Sequence, residues 1–236
     1  MNNAKVKAIK AVIFDLDNTL MDFMKMKNRA IEAAAEAMVD AGLPLSKQRT
    51  IEKINELYKK FGIEYQNVFD ELLKEVVGRV DPKILAAGVV AYRRIKEGYV
   101  EPYPHVTSTL VELTKRDYRI GMISDAPAFQ AWSRLAGMNL HNLFSFVIAF
   151  EDSGVHKPDE LPFKAAIDKL KLKPEEIMMV GDNPERDIAG AKRVGMVTVW
   201  AKYGSYGSLS GPDKSDSMQK AAYIISDIEE LLEILP

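Results

Sequence analysis

Residues 12–20 read Val12-Ile13-Phe14-Asp15-Leu16-Asp17-Asn18-Thr19-Leu20. The short apolar run that leads into them, residues 7–14, predicts a buried central strand. That run ends abruptly at two aspartates one residue apart. Side chains at i and i+2 of a strand point the same way. If the extended geometry lasts two residues beyond the strand, Asp15 and Asp17 face one pocket. Two carboxylates about 4 Å apart would repel by roughly 4 kcal/mol at an effective dielectric near 20. A cation must then share the pocket, or one carboxylate must hold a proton. The alternative is a solvated, aspartate-rich turn.

Working outward, residues 21–99 are helical in pattern. The Ala-rich stretch 26–40 predicts one helix, closed by Gly42 and Pro44. Ile51, Ile54, Leu57, Tyr58 and Phe61 recur at three and four, with Gly62 as the stop. Tyr65, Val68, Phe69, Leu72, Leu73, Val76 and Val77 do the same up to Gly78. Asp81-Pro82 is an N-cap followed by proline at the first helical position, and that helix runs to Gly98. Each helix carries one apolar stripe, which predicts a small bundle. Beyond Pro102 and Pro104, strands and helices alternate. Strands are expected at 118–123, 145–150, 176–180 and 196–200, and helices at 106–116, 127–137, 160–171 and 185–194. A loop at 202–217, a short strand at 222–225 and a helix at 227–235 close the chain. Such alternation predicts an α/β fold with a doubly wound, parallel, Rossmann-like sheet. The bundle interrupts it straight after the first strand. The expected domains are therefore 1–20 plus 100–236 as the α/β core and 21–99 as a helical insert.

Composition narrows the function. The chain has 236 residues, 47% hydrophobic and 28% charged, with a net charge of -2. These values fit a soluble globular protein and give no electrostatic case for nucleic-acid or membrane binding. The absence of cysteine excludes disulfides, thiolate metal sites and a cysteine nucleophile. Residues 1–10 do not read as a signal peptide, and no run approaches the roughly 18 apolar residues of a membrane span. A cytoplasmic setting is the expectation.

Four motifs then fall at expected strand ends: Asp15-Leu16-Asp17-Asn18-Thr19, Ser124-Asp125, Lys157-Pro158, and Gly181-Asp182-Asn183-Pro184-Glu185-Arg186-Asp187. In this order they resemble the motifs of the haloacid dehalogenase superfamily of phosphohydrolases, over nearly the whole chain. The resemblance implies a five-stranded core with the first strand central and an α-helical cap between the first and second motifs. It also implies a Mg2+-dependent phosphatase working through an aspartyl-phosphate. Asp15 would be the nucleophile and Asp17 the general acid and base. Asp15, the Asp17 backbone carbonyl and Asp182 would hold the metal, with Asp187 orienting metal-bound water or Asp182. Ser124, Asp125 and Lys157 would bind the phosphate. The implied partner is a small phosphorylated metabolite: a sugar phosphate, a triose phosphate such as glyceraldehyde 3-phosphate, phosphoglycolate or a nucleoside monophosphate. A monomer or a homodimer would serve equally. Cap residues Phe23, Met24 and Lys25, with Tyr92, Arg93 and Arg94, are the expected substrate contacts, and residues 98–104 the expected hinge.

Other readings stay open. A 2-haloacid dehalogenase shares the aspartate nucleophile but requires neither a metal nor a second aspartate. A phosphosugar mutase would use the same set, and a non-catalytic binding protein would have no use for it. Taken singly, Ser124 reads as a helix cap, Lys157 as a surface lysine and Asp187 as a helix-start acid. Asp125 departs from the family pattern, which often carries asparagine there. A carboxylate beside phosphate is unfavourable, so Asp125 is expected to point away or to act through its backbone N–H. His105, His141 and His156 lack metal-ligand spacing. Trp132 and Trp200 read as packing residues, and Met21, Met24 and Met26 as adaptable packing near the insert boundary.

Overall fold

A computed structural model gives the structure of residues 8–207 and 221–236. The expectations for residues 1–7 and for the loop over 208–217 lie outside the described residues. The first strand, β1 (Ala11–Phe14), is fully buried, as its unbroken apolar run requires. Four helices follow: α1 (Phe23–Asp40), α2 (Lys47–Phe61), α3 (Val68–Val77) and α4 (Pro82–Gly98). Alternation then begins with α5 (Val106–Lys115), β2 (Arg119–Ile123), α6 (Ala128–Gly137), β3 (Phe146–Ile148), α7 (Phe150–Ser153) and α8 (Glu160–Leu170). The chain continues through β4 (Ile177–Gly181), a π turn (Pro184–Ile188) and α9 (Ala189–Arg193). It closes with β5 (Val197–Ala201), a 3-10 turn (Lys202–Gly207), β6 (Tyr223–Ile225) and α10 (Leu231–Ile234).

All six strands are parallel, in the order β3-β2-β1-β4-β5-β6. Construction of this doubly wound sheet reverses direction between β1 and β4, and ligands bind in the crevice at such a reversal. The sheet has six strands rather than the five implied by resemblance. Tyr223–Ile225 adds the sixth, with Ile225 fully buried and Ile224 half-exposed along the edge. On one face, Ala11, Ile13, Ile177 and Met179 pack with Phe163, Ala166 and Leu170 of α8 and Ala191 of α9. Elsewhere α5 packs on β2, with Val106, Leu110 and Leu113 fully buried. Phe14 lies level with Met122 and Val180. Asp15, Ser124 and Asp182 thus emerge together at the carboxyl edge of three adjacent strands.

Two compact units make up the chain: Met1–Phe23 with Glu101–Pro236, and Met24–Val100. The second has its own core, including Ile31, Ala35, Met38, Ile54, Leu57, Leu72 and Leu73. Its caps follow the sequence. Ser46 accepts the Arg49 N–H, Asp81 accepts those of Lys83 and Ile84, and Gly62 and Gly78 close helices at positive φ. The second expected repeat starts late: Tyr65 lies in a turn, and α3 begins only at Val68. Lys27 is buried in this unit, its Nζ 2.8 Å from the Ile63 carbonyl and 3.9 Å from the Tyr58 ring centre. Tyr92 packs edge-on against Phe69 in the same interior, while Lys25, Arg93 and Arg94 are exposed. No helix among the described residues is long and apolar enough to cross a membrane.

Candidate active site

The extended pairing of β1 lasts one residue past its end, since the Asp15 N–H donates to the Val180 carbonyl at 2.9 Å. Asn18 then takes a positive φ of 62°, and the Thr19 and Leu20 N–H groups both donate to the Leu16 carbonyl. This tight turn splits the two aspartates. Asp15 is buried at the foot of the crevice. Asp17 keeps about a fifth of its side chain exposed and meets Arg134 of α6, Nη1 to Oδ2 at 2.7 Å. Arg134 is itself buried, with its guanidinium 4.5 Å from the Phe23 ring centre.

Around Asp15 the other motifs converge. Lys157 Nζ lies 2.5 Å from Asp15 Oδ1, 2.7 Å from Asp187 Oδ1 and 3.2 Å from the Ile123 carbonyl. No part of that lysine side chain is exposed, so the surface-lysine reading does not hold. Thr19 Oγ1 donates to Asp15 Oδ2 at 3.1 Å and accepts the Asp182 N–H at 3.0 Å, so one hydroxyl ties the first motif to the last. Asp187 Oδ2 accepts the Asn183 N–H at 3.0 Å. A Cβ on Gly181 would come within 2.5 Å of the Asp187 side chain, so that glycine admits Asp187 to the site. Buried Ser124 accepts the Ala126 N–H on Oγ at 3.1 Å. Asp125 turns its carboxylate to the Lys157 N–H and to Arg186.

Burial dominates the electrostatics. It pushes Asp15 up to about 7, with Lys157 opposing the shift and Asp187 adding to it. Burial first, then Asp15 and Asp187, hold Asp182 well above the ordinary aspartate range. Burial works against the charge on Lys157, yet Asp15 and Asp187 outweigh it and keep its pKa above the usual lysine value. Asp15, Asp182 and Asp187 each offer an oxygen within 4.8 Å of the other two, and all three are buried. Four acids, Asp15, Asp125, Asp182 and Asp187, meet two cations, Lys157 and Arg186, which leaves the cluster short of positive charge. An all-oxygen donor set suits a hard divalent ion such as Mg2+ or Ca2+ rather than zinc or copper. The residues present therefore fit a divalent cation. Asp187 stands inside this set, and the Asp17 carboxylate is turned to Arg134.

None of the remaining candidates contributes a side chain to the carboxylate cluster. His105 pairs with Asp227 at 2.9 Å, His141 is exposed, and His156 stacks on Phe150. Trp132 is 42% exposed on α6, not packed as expected. Trp200 is buried as expected, and its Nε1–H also donates to the Asp182 carbonyl at 2.9 Å. Sequence reading missed Arg134 and Arg186. Arg134 sits at an unremarkable helical position, Arg186 lies inside the fourth motif with no role assigned to it, and only the fold brings each to its carboxylate.

Residues 9–195 match a hydrolase family described as haloacid dehalogenase-like hydrolase. The chain is 35% identical over 227 residues to a glyceraldehyde 3-phosphate phosphatase of Methanocaldococcus jannaschii, covering 96% of this chain and 97% of that one. It is 37% identical over 230 residues to the Pyrococcus furiosus protein of the same name, covering 98% and 94%. The crystal structure of a HAD phosphatase from Thermococcus onnurineus superposes with a TM-score of 0.72 at 26% identity, covering 96% and 97%. The family match runs from the residues entering β1 to the glycine that follows α9, enclosing all four motifs, and the chain belongs to the haloacid dehalogenase-like hydrolase family.

Proposed function

We propose that this protein is a Mg2+-dependent phosphatase of small phosphorylated metabolites, with glyceraldehyde 3-phosphate as its favoured substrate. The observation that carries the reading is the buried Asp15, held between the Lys157 ammonium and the Thr19 hydroxyl beside Asp182 and Asp187. Near-full-length similarity to proteins named glyceraldehyde 3-phosphate phosphatase supports the substrate.

Asp15 attacks phosphorus, an aspartyl-phosphate forms, and the bond to the ester oxygen breaks. Asp17 gives its proton to the departing alkoxide. It then takes a proton from the water that attacks phosphorus, which releases orthophosphate and restores Asp15. Lys157 stays charged throughout and offsets the anionic charge of nucleophile and phosphoryl group. Ser124 already accepts a backbone N–H, which leaves its hydroxyl hydrogen for a phosphate oxygen. Asp15, Asp182 and Asp187 would hold Mg2+, whose charge offsets the repulsion between carboxylate and phosphate dianion.

The test is orthophosphate release from glyceraldehyde 3-phosphate, phosphoglycolate and p-nitrophenyl phosphate, with Mg2+ or with EDTA. Release should be fastest from glyceraldehyde 3-phosphate, stop in EDTA and be lost in Asp15→Asn. Unchanged release by Asp15→Asn would refute the nucleophile. Faster release from phosphoglycolate would refute the substrate.

A further inference from the structure

Asp125 presents a physical problem, because a carboxylate next to Ser124 repels the phosphate that Ser124 is placed to bind. Its side chain is only 17% exposed. Oδ1 accepts the Lys157 N–H at 2.9 Å, and Oδ2 receives Arg186 Nη1 at 3.1 Å. His156 Nδ1 lies 3.9 Å away, beyond hydrogen-bond range. Three loops therefore meet on one carboxylate: the loop after β2, the loop before α8 and the turn after β4. An asparagine could accept the Lys157 N–H through its own oxygen. What the carboxylate adds is a charged partner for Arg186. Arg186 in turn feels Asp187, Asp15, Asp125 and Asp182, all of them acids of the site.

We propose that Asp125 and Arg186 are a matched pair of positioning residues, each present to correct the other. Asp125 fixes the backbone of Lys157, which aims its ammonium at Asp15, and holds the guanidinium off the metal-binding carboxylates. Arg186 cancels the charge of Asp125, so an anionic substrate can approach Ser124. The inference rests on the phosphatase reading and extends it to how the second motif tolerates an acid.

The test uses Arg186→Gln, Asp125→Asn and the double variant, each compared with the parent protein. Arg186→Gln leaves the Asp125 charge uncancelled, so KM should rise about tenfold while kcat changes less. Asp125→Asn alone frees Arg186 toward Asp182 and Asp187, so kcat should fall about tenfold. In the double variant both charges are gone and the amide still accepts the Lys157 N–H. Its KM should return to within about threefold of the parent. A merely structural contact would not behave this way, since removing the second partner would restore nothing. Kd values for orthophosphate with MgCl2, measured by calorimetry on the same four proteins, read the pair without turnover. Parent-like KM and Kd in Arg186→Gln, or a double variant as impaired as Arg186→Gln, would overturn the pair. A parent protein that binds orthophosphate but hydrolyses no ester would sink the phosphatase reading, and the Kd values would still judge the pair. A parent that binds no orthophosphate would overturn both.

Discussion

Asp17 and Arg134 meet at 2.7 Å, and the guanidinium is anchored by burial and by the Phe23 ring. Arg134 reaches the reaction through Asp17, whose carboxylate it holds in place. General-acid catalysis matters for an alkoxide, a poor leaving group, and little for p-nitrophenolate, which departs unprotonated. Arg134→Lys keeps the charge but loses the planar fork. In single-turnover measurements of ester cleavage, the step that needs the acid, it should slow glyceraldehyde 3-phosphate about tenfold and p-nitrophenyl phosphate less than about twofold. Equal losses in that step on both substrates would mean that Arg134 merely supports the fold. This residue marks where sequence reading stops. Asp15, Lys157, Asp182 and Asp187 sit in local motifs whose spacing could be read along the chain, and the structure gathers them within hydrogen-bond or ligand range. Arg134 lies 117 positions from its partner on an ordinary helix, so no local pattern announces it.

At the scale of elements, strand and helix order was legible because parallel strands buried on both faces are short apolar runs between amphipathic helices. Alternation alone did not reveal which strands become neighbours, or that β6 joins the sheet edge. The turn after β5 was also hidden. Its sequence, Lys202 to Gly207, is rich in Gly and Tyr and reads as a plain loop. In the structure it reaches back to the first motif. Tyr203 Oη donates to the Thr19 carbonyl at 2.8 Å, and Tyr203 packs edge-on against Tyr103. Gly204 lies so close that an added Cβ would fall 1.7 Å from the Asn18 carbonyl oxygen and 2.7 Å from Asp182 Cβ. Neither contact is a flexible side-chain tip, so something rigid must move. Gly204→Ala should therefore displace the Asn18–Thr19 turn. The expected cost is about 1–3 kcal/mol of stability with a clear fall in kcat. Parent-like melting and turnover would show that the turn can shift without disturbing Thr19.

For the whole molecule, the buried acids make stability depend on pH and on metal together. Asp15 is raised to about 7 and Asp182 is raised as well, so the metal-free folded protein holds protons that the unfolded chain has released. Between the ordinary aspartate pKa of about 4 and the folded value of about 7, the folded state binds more protons. Stability then falls as pH rises through that window, by an amount on the order of a few kcal/mol. Metal binding needs the ionised carboxylates and reverses the trend, because whatever binds only the folded state stabilises it by mass action. In EDTA, Tm should drop between about pH 5.5 and pH 8, and added Mg2+ should raise Tm more at the higher pH. Asp182→Asn separates the two effects. With one buried charge removed, metal-free Tm at pH 8 should rise above that of the parent, while the increment from Mg2+ shrinks. If the Mg2+ increment were the same at both pH values and in Asp182→Asn, the carboxylate cluster would not be the ion's seat.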